Sequence, residues 1–267
     1  MSTLEDRGLT PPKGFKRHEY LVNGVKTVVH VGGTGRPVVY WHGAGAWHGF
    51  DFARPWTERF KVIAPYHPGW GESGDEPRMD SMHEYLLHYL DLFDQLNLAQ
   101  FDLVGFSLGG WMAAEFAVAH SHRVRKLVLV APAGLPDPEH PGPPMGRWTQ
   151  DEMYAHLVSD VSLLEPYLPQ GPEDGARHAA ALARESVSTG RLVSRGAFNP
   201  RLERWLHRVT MPTLLVWSTA DRIAPYARSA KWMELLPNAK LATFDGAGHL
   251  VLDELEEARV CVAKFLA

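Results

Sequence analysis

The chain holds a single cysteine among its 267 residues, so no disulfide can form within it. That cysteine, Cys261, stands beside Val260, Val262 and Phe265 in an expected C-terminal helix; it is read as a core thiol and suits a reducing compartment. A run of about 20 apolar residues, which a membrane-crossing helix needs, is missing throughout. The opening MSTLEDRGLTPPKGFKRHEY has neither the apolar stretch nor the small-residue cleavage site of a secretory signal. A cytoplasmic protein without a membrane partner is the expectation. Clustered basic residues are missing as well: the net charge is −4 and Lys and Arg are scattered, which argues against nucleic acid as a partner. Neither an H-E-x-x-H pattern nor a tight His/Cys/Asp cluster occurs, so neither a metal nor another cofactor is expected.

What is present is a composition of 45% hydrophobic and 22% charged residues, close to the globular average. One main α/β domain carrying an insertion accounts for the length. Short β-branched runs alternate with longer amphipathic stretches, the pattern of a mostly parallel sheet covered by helices. HEYLV (18–22) and VKTVVHV (25–31) flank Asn23-Gly24, which suits a tight hairpin turn. PVVYW (37–41) and FKVIAP (60–65) read as strands buried on both faces. From 82 to 96 apolar residues recur three and four apart, predicting a helix capped by Asp80 or Ser81. FDLVGF (101–106), LGGWMAAEFAVAH (108–120) and VRKLVLVAP (124–132) form a strand–helix–strand unit. MPTLLVWS (211–218), a helix from about 225 to 236, LATF (241–244) and a final helix after 250 repeat it. Between 133 and 206 a proline-rich start leads into short helices rich in Ala, Leu and Arg. Its aromatics, including Trp148, Tyr154 and Trp205, predict a folded cap and not a disordered linker.

The chemistry concentrates in Gly105-Phe106-Ser107-Leu108-Gly109, a G-x-S-x-G pattern between a predicted strand and a predicted helix. A serine there sits on a strained turn at the head of a helix, whose free N–H groups face developing negative charge. An alcohol is a weak nucleophile and needs a base, and the base needs a partner to fix its tautomer. His249, in the glycine-rich loop DGAGHL, is the expected base. Asp221, at the end of the strand TLLVW, is the expected partner, with Asp137 as its rival and a helix cap or an ion pair with Arg222 as its structural alternative. His42-Gly43-Ala44-Gly45 follows a strand where an oxyanion loop is needed. The amides of Ala44 and Leu108 are expected to hold the oxyanion, and His42 to support the loop. Trp47, Phe106, Trp148, Tyr154 and Leu250 are the candidate substrate contacts, whereas Trp70, Trp111 and Trp217 read as packing.

HGAG (42–45), PYHPGWGESG (65–74), GFSLGG (105–110), WSTADRIAP (217–225) and GAGHL (246–250) together resemble the α/β-hydrolase superfamily along nearly the whole chain. The resemblance implies a mostly parallel eight-stranded sheet with helices on both faces and an inserted helical cap. About five strands would precede the cap and two follow it. Residues 1–132 and 207–267 would form the core, and 133–206 the lid over the substrate. Epoxide hydrolases and haloalkane dehalogenases of this superfamily use aspartate where Ser107 stands. The carbon–carbon bond hydrolases of aromatic degradation usually carry Asn before the serine and Trp after the histidine; here these are Phe106 and Leu250. GFSLGG is closer to esterases, lactonases and perhydrolases, and many members have Gly at Ser218.

A serine hydrolase cleaving a carboxylic ester of a small or medium, fairly apolar molecule is therefore the expectation, as a monomer or homodimer. Carbon–carbon hydrolysis, lactone hydrolysis and perhydrolysis on the same triad are the alternatives. A ligand-binding protein without turnover is the competing class. An arginine aimed into the pocket would favour a carboxylated substrate, and Arg184, Arg191 and Arg195 are the cap arginines in question.

Overall fold

A computed structural model of the chain describes residues 14–194 and 196–267, so the opening segment and Arg195 lie outside the described residues. The chain begins as a hairpin of β1 (Phe15–Val22) and β2 (Val25–Gly32), turning at Asn23 (φ 49°) and Gly24 (φ 82°). Two successive positive φ values match the right-handed twist of the flanking strands. Then follow β3 (Arg36–Trp41), β4 (Phe60–Pro65), α1 (Met82–Gln95), β5 (Phe101–Phe106), α2 (Leu108–Ala119) and β6 (Val124–Val130). After a long excursion come β7 (Thr213–Ser218), α5 (Arg228–Leu235), β8 (Ala239–Phe244), α6 (Val251–Glu254) and α7 (Glu256–Leu266). Six strands, one more than the resemblance implied, thus precede the excursion.

The eight strands form one sheet in the order β1-β2-β4-β3-β5-β6-β7-β8. β2 runs antiparallel to β1 and β4, and the rest are parallel. All six residues of β5 and of β7 are buried. Successive side chains of a strand point to opposite faces, so both faces of the sheet centre are covered. β4 lies on one side of β3 and β5 on the other, which puts the reversal of strand order between β3 and β5. At such a point the loops leaving two parallel strands diverge and open a crevice beyond their C-terminal ends. Trp41 pairs with Gly105 across these strands, so the loops after residues 41 and 106 emerge side by side.

The excursion contains α3 (Gln150–Leu157), a 3-10 helix (Val161–Tyr167) and α4 (Pro172–Leu192), which at 21 residues is longer than the short helices read from the sequence. Its ends meet: Gly134 N–H donates to Ala197 O (3.1 Å), and Asn199 N–H to Gly134 O (2.9 Å). Elsewhere the differences are local. Ser81 occupies the cap position of α1, but its hydroxyl does not cap; Glu84 instead reaches back to the Asp80 amide (3.1 Å). β6 stops at Val130 because Ala131 turns the chain at φ 41°. Cys261 is half-buried and not a core residue, and partial burial raises its pKa. No helix among the described residues is long and apolar enough to cross a membrane.

At the N-terminal end of β5, the fully buried Asp102 accepts from Arg125 (2.5 Å) and Arg36 (3.2 Å). Arg125 also donates to Leu266 O (3.0 Å), which fastens the last helix to the sheet. Asp102→Ala would leave two half-exposed guanidinium groups without their buried partner. It is expected to cost about 2 kcal/mol in urea unfolding, without changing turnover per folded molecule, since Ser107 is roughly 16 Å further along the strand.

Candidate active site

Ser107 joins β5 directly to α2 with φ 52° and ψ −113°, a backbone region that only a firmly held residue keeps. Its amide donates to Val130 O (2.9 Å), and its carbonyl accepts from Trp111 N–H (3.1 Å) and Ala133 N–H (3.0 Å). The turn is also tight: a Cβ on Gly109 would lie 2.3 Å from Trp41 O, so only glycine lets α2 approach β3 this closely. The side chain of Ser107 is half-exposed, and its hydroxyl has no protein partner among the described residues.

His249 follows β8 and is buried, with Nδ1 2.7 Å from Asp221 Oδ2. The carboxylate can only accept, so Nδ1 carries a proton, and in the neutral tautomer this bond selects, Nε2 is the lone-pair site. The other oxygen of Asp221 accepts from the amides of Ile223 (2.8 Å) and Ala224 (2.9 Å), which fixes the carboxylate in place. Asp137 instead meets His140 (3.1 Å), and Arg222 donates to Val158 O (2.9 Å), so neither competes for His249 or Asp221. The Phe106 ring lies 4.7 Å from the His249 ring and sets the histidine loop against the serine turn.

The loop at 42–46 packs onto the same turn: a Cβ on Gly43 would be 3.2 Å from Ser107 Cβ. His42 Nδ1–H donates to Gly43 O (2.8 Å), while its Nε2 accepts from the His67 amide (3.0 Å). Because N–H and C=O of a trans peptide point in opposite directions, fixing Gly43 O also fixes the direction of Ala44 N–H. Neither the Ala44 nor the Leu108 amide meets a protein acceptor among the described residues. His67 donates through Nε2 to His42 O (2.9 Å) and is bonded through Nδ1 to Tyr89 OH. Burial holds His67 down to about 4 and His42 well below the usual range, so both rings are neutral near pH 7.

Several supporting residues carry no motif of their own. Trp70, read as packing, donates through Nε1 to Ala44 O (2.7 Å). Ser218, where many members of the superfamily have Gly, donates to Ala247 O (2.5 Å) and ties the loop after β7 to the histidine loop. Glu254 accepts from the amides of Gly248 (2.7 Å) and Ser159 (2.7 Å), and Leu250 N–H donates to Leu157 O (3.0 Å). The fully buried pairings of His67 were hinted at only by its place in the segment PYHPGWG.

The predicted substrate contacts separate. Phe106 and Leu250 are buried beside His249. Trp47 packs 5.0 Å from Tyr154, whose hydroxyl meets His178 (3.0 Å). Trp148 is instead stacked on His156 (3.9 Å), half-exposed. A cavity of about 180 Å³ lies among Trp47, Tyr66, Tyr167, Leu168, His178 and Glu185. Ser107, Asp221 and His249 do not line it, and the hydrogen-bonded site is the better guide to chemistry. Arg177, at its wall, is paired with Asp174 (2.6 Å). Arg184 donates to Gly71 O at the cavity's edge and Arg191 meets Asp75 (3.2 Å); neither arginine lines the cavity. Among the described residues, no group of three His, Cys, Asp or Glu could hold a metal ion.

The family model for the alpha/beta hydrolase fold matches residues 36–254, spanning everything from β3 to α6. The chain belongs to the α/β-hydrolase family. Among its relatives is a 2-hydroxymuconate semialdehyde hydrolase of Pseudomonas putida, 30% identical over 271 residues and covering 93% of each chain. Another is a 2-hydroxy-6-oxo-2,4-heptadienoate hydrolase, also of Pseudomonas putida, 29% identical, covering 90% of this chain and 91% of the relative. A solved meta-cleavage product hydrolase from Pseudomonas fluorescens IP01 superimposes with a TM-score of 0.78 at 23% identity, covering 93% of this chain and 96% of the other. That likeness shows the shared fold.

Three imidazoles, His30, His67 and His88, are held down to about 4 by burial. The unfolded chain binds more protons than the folded one between about pH 4 and 6.5. Stability should therefore fall as pH drops through that window, and these three residues should add no slope above it; urea midpoints measured from pH 4 to 8 check this.

Proposed function

We propose that this α/β hydrolase transfers an acyl group to water through Ser107, His249 and Asp221, and that it cleaves the carbon–carbon bond beside a ketone in a 2-hydroxy-6-oxo-dienoate. The observation that carries the substrate class is the end-to-end similarity to hydrolases of such compounds, at 30% identity across 93% of both chains. The chemistry follows from the geometry on both sides of Ser107. His249 Nε2 is the lone-pair site that takes the serine proton, and the amides of Ala44 and Leu108 receive the oxyanion. The bond between Ser107 Oγ and His249 closes when substrate enters, as such bonds commonly do.

A carbanion leaves readily only if its charge is delocalised. In 2-hydroxy-6-oxo-2,4-heptadienoate, moving the enol proton to C5 gives an enone. When Ser107 has added to C6 and the C5–C6 bond breaks, the electron pair runs to the C2 oxygen, which takes the proton held by His249. The acetyl group remains on Ser107. Water, deprotonated by His249, then releases acetate, and the other product is 2-hydroxypenta-2,4-dienoate. The stretch 133–206 is proposed as the cap over this reaction.

Ester hydrolysis is the second reading, favoured by a specific observation. Phe106 and Leu250 stand where the carbon–carbon hydrolases usually place Asn and Trp, and both are buried beside His249. The same triad would then protonate an alkoxide in place of a dienolate.

Loss of dienolate absorbance with 2-hydroxy-6-oxo-2,4-heptadienoate, compared with release of p-nitrophenol from its butyrate ester, separates the two. A higher kcat/KM for the dienoate is expected; at least tenfold preference for the ester would replace the first reading by the second. Ser107→Ala should lower kcat by about 10⁴-fold or more, and Asp221→Asn, which removes the acceptor for Nδ1–H, by about 10³- to 10⁴-fold. A fluorophosphonate probe should label Ser107; turnover and labelling that survive Ser107→Ala would sink both readings.

A further inference from the structure

α4 lays a polar face on two loops. Arg184, Glu185, Ser188, Thr189 and Arg191 recur at helical spacing, and each is bonded to the segments 44–46 or 69–75. Glu185 stands out because its side chain is buried, where a carboxylate is costly unless donors surround it. Its two oxygens accept from the amides of Ala46 (3.0 Å) and Gly71 (3.0 Å). Burial raises its pKa, while the two amides, Arg184 and His48 favour the charged form.

We infer that Glu185 is the positioning residue of the oxyanion loop, acting on it from the helix that the long excursion lays against the 44–46 and 69–75 segments. The inference rests on the reading that Ala44 N–H faces the oxyanion. Three successive peptide units around that amide are fixed, each by a different group. Gly43 O is held by His42 (2.8 Å), Ala44 O by Trp70 (2.7 Å) and Thr189 (3.3 Å), and Ala46 N–H by Glu185 (3.0 Å). The second oxygen of Glu185 holds the Gly71 amide, next to Trp70, so one carboxylate sets both the loop and the indole that braces it. An apolar side chain would pack against these loops as well but would leave both amides without acceptors and the peptide planes free to tilt. A displacement of about 1 Å in such a donor weakens transition-state binding far more than substrate binding.

Glu185→Gln offers one acceptor and one N–H donor to two amides. With whichever of the dienoate or p-nitrophenyl ester is turned over, kcat should fall about 10- to 100-fold while KM stays within about threefold. Affinity for an alkyl boronate, which mimics the tetrahedral adduct, should weaken by the same factor as kcat, and the melting temperature should stay within a few degrees. If Glu185→Gln does not fold, Glu185→Asp keeps the carboxyl group but withdraws it by one methylene, and the same loss of kcat at constant KM is expected. Wild-type kcat and boronate affinity, or a loss confined to melting temperature, would overturn the positioning role. Ser107→Ala is run in parallel: if it is inactive while Glu185→Gln behaves as wild type, this inference alone fails. If Ser107→Ala stays active, the underlying reading fails and takes this inference with it.

Discussion

A serine held at φ 52° and ψ −113° stores about 1–3 kcal/mol of backbone strain, and much of the surrounding structure is arranged so that it cannot relax. Its amide and carbonyl are tied to β6, α2 and the start of the excursion. Gly109 lets α2 close onto the carbonyls of Trp41 and His42, so the strand end that launches the 42–46 loop is pressed against the same helix. The strain therefore has a geometric product. It lifts Ser107 off the line of β5 into the crevice where the strand order reverses, with the amides at the head of α2 directly behind it.

The surrounding loops are held by polar contacts as well as by apolar packing, and many of the polar contacts come from distant parts of the chain. The segment 157–159 accepts from Leu250 and Arg222 and donates to Glu254, so it touches the loops of both His249 and Asp221. α4 fastens the 42–46 and 69–75 loops. Under the cap reading, the excursion would then be more than a cover. It would complete the bracing of the site, and motion that opened it fully would break the hydrogen bonds by which Glu185 and Glu254 hold these amides. Small adjustments of α3 and the 3-10 helix would fit that constraint better than a hinge at α4.

Similarity and local chemistry pull on different parts of the molecule. Identity spread over the full length records the sheet, the loops and their order. Phe106 and Leu250, which flank the serine and histidine in sequence, are where the leaving group's surroundings would differ. Two apolar side chains there lower the local polarity without entering the hydrogen bonds of Asp221 and His249, so under the proposed mechanism the same triad would serve either leaving group.

The hairpin at Asn23-Gly24, the buried runs of β3, β5 and β7, the serine turn and the glycine-rich loop of His249 were legible because each depends on local rules. Those rules are positive φ at adjacent residues, apolar strands without alternation, and a nucleophile between strand and helix. Asp221 was legible by chain order, but only the fold showed that Asp137 turns to His140 and leaves His249 to Asp221. The length of α4 was misread because Gly175 and Gly190 interrupt it and because its inward face is polar, so no apolar stripe announces it. Glu185 and Glu254 were invisible for the same reason. A buried carboxylate that serves backbone amides has no sequence partner at fixed spacing, and its role exists only once loops 46, 71, 159 and 248 have been brought to it. By itself the sequence determined the sheet, the turn that exposes Ser107 and the choice of Asp221 and His249, which the structure joins by a hydrogen bond. Tertiary structure alone decided which polar groups brace them, because those contacts join residues more than a hundred positions apart in the case of Glu185 and satisfy donors that local structure leaves open.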